Sequence, residues 1–248
     1  MSQKTGHQTI TKDKYSKKPY ICKARIVIAT TLTGRRLEKL RCNIKWIDSV
    51  DSTNNEAKRL IDCMSSFSVI SVRSQTAGRG QRGNIWLSEP DKNLTFSIVV
   101  KYEGGSFSHM SAAEQIIITE ITSLTIVELL SNYGIDAKIK WPNDIYVNDK
   151  KICGILIEHS VCKASLVHSI IGVGLNVNQL DFDKSLANPT SILLEKGGEE
   201  LHLPLLLDEL LDIFQKYASQ YSQDELHNLY HSKLFFAASS GPDYPQSQ

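Results

Sequence analysis

The stretch Lys138-Ile-Lys-Trp-Pro-Asn-Asp-Ile-Tyr-Val-Asn-Asp-Lys-Lys-Ile-Cys-Gly-Ile-Leu-Ile-Glu158 decides the fold class of this 248-residue chain. Two apolar, β-rich runs, 145–147 and 152–158, flank the polar turn signal 148–151, a pattern typical of two neighbouring strands. A short strand is predicted before them at 138–141, and another after them at 166–173. With long helical patterns outside this cluster, the sequence predicts an α+β protein in which helices cover one face of a mixed β-sheet.

The helical segments carry their own start signals. Thr53 and Glu56 fit a capping box, with Thr53 as N-cap, for a helix whose apolar stripe reaches Met64. Ser111 and Glu114 fit a second capping box at the start of a long helix. The remaining predicted elements are strands over 44–47, 68–72 and 94–102, a helix stop at Gly134, and helices over 204–217 and 223–236.

Composition excludes several classes of protein. Apolar residues make up 41% of the chain, enough for a substantial core. The net charge of +1, from 28 basic and 27 acidic side chains, argues against a general nucleic-acid binder. No apolar run approaches the ~18 residues of a membrane span, and the N-terminus lacks the apolar region of a signal peptide. Five scattered cysteines without zinc spacing indicate reduced thiols and a cytoplasmic protein.

The segment Gln75-Thr-Ala-Gly-Arg-Gly-Gln-Arg-Gly-Asn-Ile-Trp86 suggests an anion-binding loop. Three glycines in six residues free the backbone and leave its N–H groups uncovered. Arg79 and Arg82 can hold phosphate or carboxylate oxygens, and Trp86 can form a wall for a ring. A plain surface hairpin turn is the alternative for this loop taken alone.

Asn143 and Asp144 present an amide and a carboxylate in a rigid turn after Pro142, a pair that can orient a magnesium-bound nucleotide or a ribose. Lys140 would face the same anion as Asp144. An ordinary Asx-turn is the alternative.

Two lysines precede an apolar strand. Lys151 is predicted to stabilise developing negative charge, and Gly154 to permit a close backbone approach, whereas Lys150 is expected to be an ordinary surface residue. Sequence alone does not choose between the two lysines.

Further polar groups lie at the ends of predicted elements. In Gly172-Val-Gly-Leu-Asn-Val-Asn178, glycines at a strand end mark a ligand or a packed backbone, and Asn176 offers a donor and an acceptor. Ser52 and Thr53 lie at a helix N-terminus, which is suited both to capping and to a polar ligand. Hydrolase, zinc-protease and P-loop motifs are absent from the sequence. Cys153 lies in an apolar strand, which favours an inert thiol over a nucleophile.

Taken in order, these motifs resemble those of biotin protein ligases, also called biotin–[acetyl-CoA carboxylase] ligases. The resemblance covers about residues 44–235 and rests on Asp51-Ser-Thr-Asn, the loop 75–84, Lys140-Trp-Pro-Asn-Asp, Lys151-Ile-Cys-Gly-Ile-Leu-Ile-Glu and Gly172-Val-Gly-Leu-Asn-Val-Asn. It implies the catalytic-domain fold of the class II aminoacyl-tRNA synthetase-like biotin and lipoate ligases.

The resemblance also implies a reaction and a set of site residues. Biotin and ATP, with Mg²⁺, give biotinyl-5′-AMP, and the biotinyl group then passes to a lysine of a biotin carboxyl carrier domain. The implied metal ligands are unknown. The implied residues are Ser52, Thr53, Gln75, Gly80, Arg82, Gly83 and Gly154 for biotin, Trp86, Asn143, Asp144, Lys151, Leu175 and Asn176 for the nucleotide, and Lys151, Arg82 and Arg79 for catalysis.

The chain departs from the family pattern at three places. Gln81 and Asn84 stand where many members carry arginines, so the loop is less cationic. Residues 1–43 are interpreted as a partly disordered extension, too short for the winged helix-turn-helix of family members that are also repressors, and no DNA partner is expected. With 44–236 as the catalytic domain, the tail 237–248 is interpreted as disordered in place of the family's C-terminal β-barrel.

Three functions stay open at this point: a biotin ligase, a lipoate or octanoate ligase or transferase with the same core, and a non-catalytic biotin binder. No membrane partner is expected. A homodimer, as in some relatives, is compatible with the β-rich surface but is not required by the sequence.

Overall fold

The computed structural model describes residues 43–102 and 110–235. In these ranges seven strands form one mixed sheet, which confirms the predicted α+β class. The strands are β1 (Ile44–Val50), β2 (Ser68–Gln75), β3 (Leu94–Lys101), β4 (Ala137–Lys140), β5 (Asp144–Val147), β6 (Lys150–Cys162) and β7 (Ser165–Leu175). Their order across the sheet is β1-β2-β3-β7-β6-β5-β4, with β1 and β2 parallel and all other neighbours antiparallel.

The helices lie on both faces of this sheet, so the prediction that they cover one face is wrong. They are α1 (Thr53–Arg59), α2 (Ile116–Asn132), α3 (Ile192–Lys196), α4 (Leu203–Gln220) and α5 (Gln223–Ser232). Helix α2 packs against α4, α5 and the sheet, and its mostly apolar surface is buried in the larger of two cores. Helix α1 packs on the opposite face in a small core of Ala57, Ile70, Val72, Val99 and Ile170. The alternation of a strand places successive side chains in different cores, as for Val69 and Ile70.

The predicted start of the first helix is wrong. Ser52, not Thr53, is the N-cap, no side chain of the N-cap closes the first turn, and the helix ends at Arg59 rather than Met64. The reason is a long-range contact, because the N–H of Thr53 donates to Oε1 of Gln75 at 2.8 Å. A side chain 22 residues away therefore satisfies one of the free N–H groups of the helix start.

The second predicted capping box is confirmed. The N–H of Ser111 donates to Oε2 of Glu114 at 2.8 Å, and a 3-10 turn over Ala112–Gln115 leads into α2. Gly134, with a φ of +76°, follows the end of α2 as predicted. The last predicted helix, 223–236, is shorter, because it ends at Ser232.

The extension 1–43, except for Asn43, and the tail 237–248 lie outside the described residues, so the predicted domain boundaries stay predictions. Among the helices that are described, none is long and apolar enough to cross a membrane.

Candidate active site

A cavity of about 380 Å³ opens on the face of the sheet that carries α1. Most of the residues predicted to form the site line it, although they come from four separate parts of the chain. These are Ser52, Thr53, Gln75, Arg79, Gly80, Arg82, Trp86, Asn143, Asp144, Lys151 and Gly154. The sheet brings them together because the end of β2, the first residues of β6 and the start of β5 lie at this side of the molecule.

Two glycines, Gly154 and Gly174, form the floor of the cavity, because they have no side chains that would fill it. Gly154 on β6 pairs in register with Gly174 on β7. The indole of Trp86 lies against both, since a Cβ at Gly154 would be 2.9 Å from Cζ3 of Trp86 and a Cβ at Gly174 would overlap the ring. Trp86 and Gly154, assigned by the resemblance to different parts of the ligand, are in direct contact here.

The glycine–arginine loop is a small hairpin that folds over this floor. The N–H of Gly80 donates to the carbonyl of Asn84 at 2.7 Å, and the N–H of Trp86 donates to the carbonyl of Gly78 at 3.0 Å. The loop is therefore a hairpin, which was the alternative interpretation of its sequence, and it also forms one wall of the cavity. We call residues 78–86 the lid hairpin.

The tip of the lid hairpin has two successive left-handed residues, Arg82 (φ 53°) and Gly83 (φ 82°). Glycine adopts this conformation at no steric cost, whereas an arginine there is uncommon. The guanidinium of Arg82 is exposed and makes no hydrogen bond or ion pair with any residue the structure describes. Within the described part of the chain it is therefore an unpaired cation at the mouth of the cavity.

The stem of the lid hairpin is held differently. The guanidinium of Arg79 donates to Oε1 of Glu158 at 3.0 Å and to Oδ1 of Asn55 at 2.9 Å. Arg79 and Arg82, which the sequence predicted as equivalent anion ligands, thus have unequal surroundings.

Lys151, not Lys150, is the lysine of the cavity. Its Nζ lies 2.8 Å from Oδ2 of Asp144 and 5.7 Å from the centre of the Trp86 ring. Lys150 instead points to Glu195, at 3.4 Å, outside the cavity. The two lysines alternate along β6, which separates their side chains to opposite faces.

The turn before β5 is held against β6 by a side-chain hydrogen bond. Nδ2 of Asn143 donates to the carbonyl of Ile155 at 2.6 Å, so the amide is fixed against β6. The expectation that Lys140 faces the same anion as Asp144 is wrong, because Lys140 does not line the cavity and its Nζ lies 4.6 Å over the ring of Tyr146.

Three residues predicted for the site do not line the cavity: Gly83, Leu175 and Asn176. Leu175 belongs to the core. Asn176 is buried and donates through Nδ2 to the carbonyl of Thr190 at 2.9 Å, while its Oδ1 has no partner among the residues that the structure describes. In this structure Asn176 ties the chain after β7 to the segment before α3.

Asn54 was missed by the sequence interpretation, although it ends the motif Asp51-Ser-Thr-Asn54. It is only 2% exposed, and its Oδ1 accepts a hydrogen bond from Oγ of Ser97 at 2.6 Å. Its amide occupies the space that Gly172 leaves open, since a Cβ there would overlap Oδ1. The glycine of the motif 172–178 therefore admits a side chain of α1.

The cavity is positively charged overall. Among the lining residues that the structure describes, Arg79, Arg82 and Lys151 are cations and Asp144 is the sole carboxylate. A surplus of fixed cations suits a phosphorylated ligand. Cys153, beneath this site, is fully buried, and burial raises the pKa of its thiol well above the ordinary range. This agrees with the prediction of an inert thiol.

Residues 46–176 match the model of the biotin/lipoate A/B protein ligase family. The chain is 31% identical over 153 residues to the bifunctional ligase/repressor BirA of Escherichia coli, covering 61% of this chain and 46% of that protein. It is 32% identical over 127 residues to the biotin–[acetyl-CoA-carboxylase] ligase of Paracoccus denitrificans, covering 51% of each. The chain spans about half the length of these curated relatives.

The fold is similar to that of a solved biotin protein ligase from Aquifex aeolicus, in complex with biotin and ATP. The TM-score is 0.64 at 26% identity, with 77% of this chain and 78% of that chain covered.

Proposed function

The chain belongs to the biotin/lipoate A/B protein ligase family, and we propose that it is a biotin–protein ligase. In this proposal it activates biotin with ATP to biotinyl-5′-AMP and transfers the biotinyl group to a lysine of a biotin carboxyl carrier domain. The observation that carries the proposal is the lid hairpin, which closes over a glycine-floored cavity rimmed by Arg82 and Lys151.

The first step joins two anions. A carboxylate oxygen of biotin attacks the α-phosphorus of ATP, a P–O bond to the leaving group breaks, and pyrophosphate departs. Fixed cations lower this barrier because they offset the negative charge that gathers around the phosphorus. We assign this task to Arg82, whose guanidinium has no partner among the described residues, and to Lys151.

The second step makes an amide. The uncharged amine of the acceptor lysine attacks the acyl carbon of the adenylate, and AMP leaves as its phosphate takes the electron pair. The mixed anhydride reacts readily with water, so a cover that excludes solvent favours transfer over hydrolysis. We assign this cover to the lid hairpin, with Trp86 packed on Gly154 and Gly174.

The remaining assignments follow from position in the cavity. Ser52 and Thr53, at the start of α1, and Gln75, at the end of β2, are proposed to contact biotin. Mg²⁺ binds proteins through one or two carboxylates together with substrate phosphates. Asp144, as the one lining carboxylate in the described part of the chain, fits such a role. We also propose a cytoplasmic location, in keeping with the free thiols of Cys63, Cys153 and Cys162.

The test is ATP-dependent labelling of a purified biotin carboxyl carrier domain, read by mass spectrometry as one added biotinyl group. Biotin-dependent ATP–pyrophosphate exchange follows the first step alone. Labelling that needs both ATP and this protein supports the proposal, and its absence, with intact carrier and folded enzyme, refutes it.

The same assays distinguish biotin ligation from the two alternative functions. These alternatives matter because the family includes both biotin and lipoate ligases. A lipoate or octanoate ligase would support pyrophosphate exchange with those acids and not with biotin. A non-catalytic binder would show heat of biotin binding in calorimetry without any exchange.

A further inference from the structure

We infer that Glu158 is a positioning residue that holds the lid hairpin at its stem through Arg79, leaving Arg82 as the ligand-facing arginine. The consequence of this inference for catalysis rests on the proposed function. The contact between Arg79 and Glu158 is itself a feature of the fold. Glu158 ends the motif Lys151-Ile-Cys-Gly-Ile-Leu-Ile-Glu158, and it does not itself line the cavity.

Glu158 gathers donors from two separate segments. Nζ of Lys58 donates to Oε1 at 2.7 Å and Nδ2 of Asn54 donates to Oε2 at 2.9 Å, both from α1. The guanidinium of Arg79 donates from Nη2 to Oε1 at 3.0 Å and from Nη1 to Oε2 at 3.3 Å. The carboxylate is only 22% exposed, and despite the opposing effect of burial these donors keep its pKa below the usual range. It stays ionised at neutral pH.

The contact is specific to the hairpin stem. Among the residues that the structure describes, Arg79 is the one side chain of the lid hairpin that hydrogen-bonds to a residue outside it. Its fork matches both oxygens of Glu158, a geometry that fixes direction as well as distance. Paired with Glu158, which Lys58 shares, Arg79 is an anchor, and the ligand meets Arg82, whose charge has no partner among the described residues.

The substitution Glu158→Gln is expected to disrupt these hydrogen bonds without changing the shape of the side chain. Both oxygens of Glu158 accept from donors that cannot accept in return, namely an ammonium, an amide NH₂ and a guanidinium. Whichever way an amide turns, its own NH₂ group faces another donor. Glutamine, although equal in shape, therefore cannot accept from both nitrogens of the Arg79 guanidinium.

The experiment is limited trypsin digestion of the ligand-free protein, following cleavage after Arg82 by mass spectrometry. The variants are Glu158→Gln, Arg79→Gln and the double variant, with Lys58→Gln as control because Lys58 contacts Glu158 but not the hairpin. We expect either single variant to raise the cleavage rate about fivefold, the effect of losing one partly exposed ion pair. The double variant should equal the singles, and the control should stay within about twofold of wild type.

Two results would overturn the inference: cleavage of Glu158→Gln at the wild-type rate, or a double variant whose rate is the product of the two single effects. Arg79→Gln changes an exposed side chain, so it keeps the test decisive even where Glu158→Gln fails to fold. These outcomes are independent of catalysis.

A second readout links the anchor to the reaction. In biotin-dependent pyrophosphate exchange, a loosened lid should raise KM for biotin more than it lowers kcat, because the ligand is held less well while Lys151 is untouched. An equal loss in kcat with unchanged KM would contradict a positioning role. Wild-type protein that shows no exchange would refute the proposed function and leave the digestion result standing.

Discussion

Replacement of Gly172 by alanine tests whether the structure correctly places Asn54 against the sheet. A Cβ at position 172 would overlap Oδ1 of Asn54 and lie close to the rest of its amide. The amide cannot simply turn aside, because it is bonded to Oγ of Ser97, to the carbonyl of Leu156 and to Oε2 of Glu158. The new methyl group therefore strains the backbone or breaks these bonds.

The magnitude follows from the contacts that are lost. Overpacking of a filled site costs about 1–3 kcal/mol, and each hydrogen bond lost contributes about 1 kcal/mol. We expect Gly172→Ala to lower the free energy of unfolding by about 2–4 kcal/mol, measured by urea denaturation followed by circular dichroism. The corresponding fall in Tm is about 5–15 °C for a domain of this size.

A double-mutant cycle isolates the contact. In an Asn54→Ala background the space above position 172 is open, so Gly172→Ala should cost less than about 1 kcal/mol there. Gly154→Ala is a matched control, since its Cβ would meet the ring edge of Trp86, at 2.9 Å, and no hydrogen bond to a described residue holds that ring in place. An equal cost for Gly172→Ala with and without Asn54 would refute the reasoning.

Three further outcomes are expected at the charged groups. Arg82→Ala should lower carrier labelling at least about tenfold through loss of a charge-assisted contact, while Arg73→Ala, an exposed arginine outside the cavity, should not. Lys151→Ala should lower kcat about 100-fold, and Lys150→Ala should leave it near wild type, both in pyrophosphate exchange. Because the folded-state pKa of Glu158 lies below its ordinary 4.5, its ionised form adds stability above that pH. The wild-type advantage over Glu158→Gln in urea denaturation should therefore be full at pH 7 and shrink as the pH falls below about 4.5; an advantage that persists unchanged at pH 2–3 would contradict it.

Periodicity and turn chemistry were enough to predict the strands around the turn 148–151 and the capping box of Ser111 and Glu114. These signals are local, because they depend on residues close in sequence. The start of α1 was wrongly predicted for the opposite reason. One of its first N–H groups donates to Gln75, and the pattern of residues within the helix cannot reveal this long-range contact. The end at Arg59 is not signalled by the apolar stripe either, because Leu60, Ile61 and Met64 continue it and still pack against the small core.

The sequence predicted which residues line the cavity, but it did not predict which partners their side chains contact. Motif order brought Arg79, Arg82, Lys151 and Asp144 into one site, and the structure does place all four around one cavity. Their partners were beyond the reach of sequence spacing. The choice between Lys150 and Lys151 depends on which way each side chain leaves β6, and only the register of the strand decides it.

The contrast between Arg79 and Arg82 shows why residue type alone does not assign a role. Two arginines three positions apart in a glycine-rich loop have the same charge and the same reach. One is matched by a partly buried carboxylate 79 residues further along the chain, and the other has no partner in the described structure. A guanidinium whose donors are committed to a carboxylate has fewer of them left for a phosphate than an uncommitted guanidinium. The ligand-binding charge of the lid hairpin is therefore concentrated on Arg82, and because Gln81 and Asn84 are uncharged, no neighbouring side chain at positions 81–84 can replace that charge.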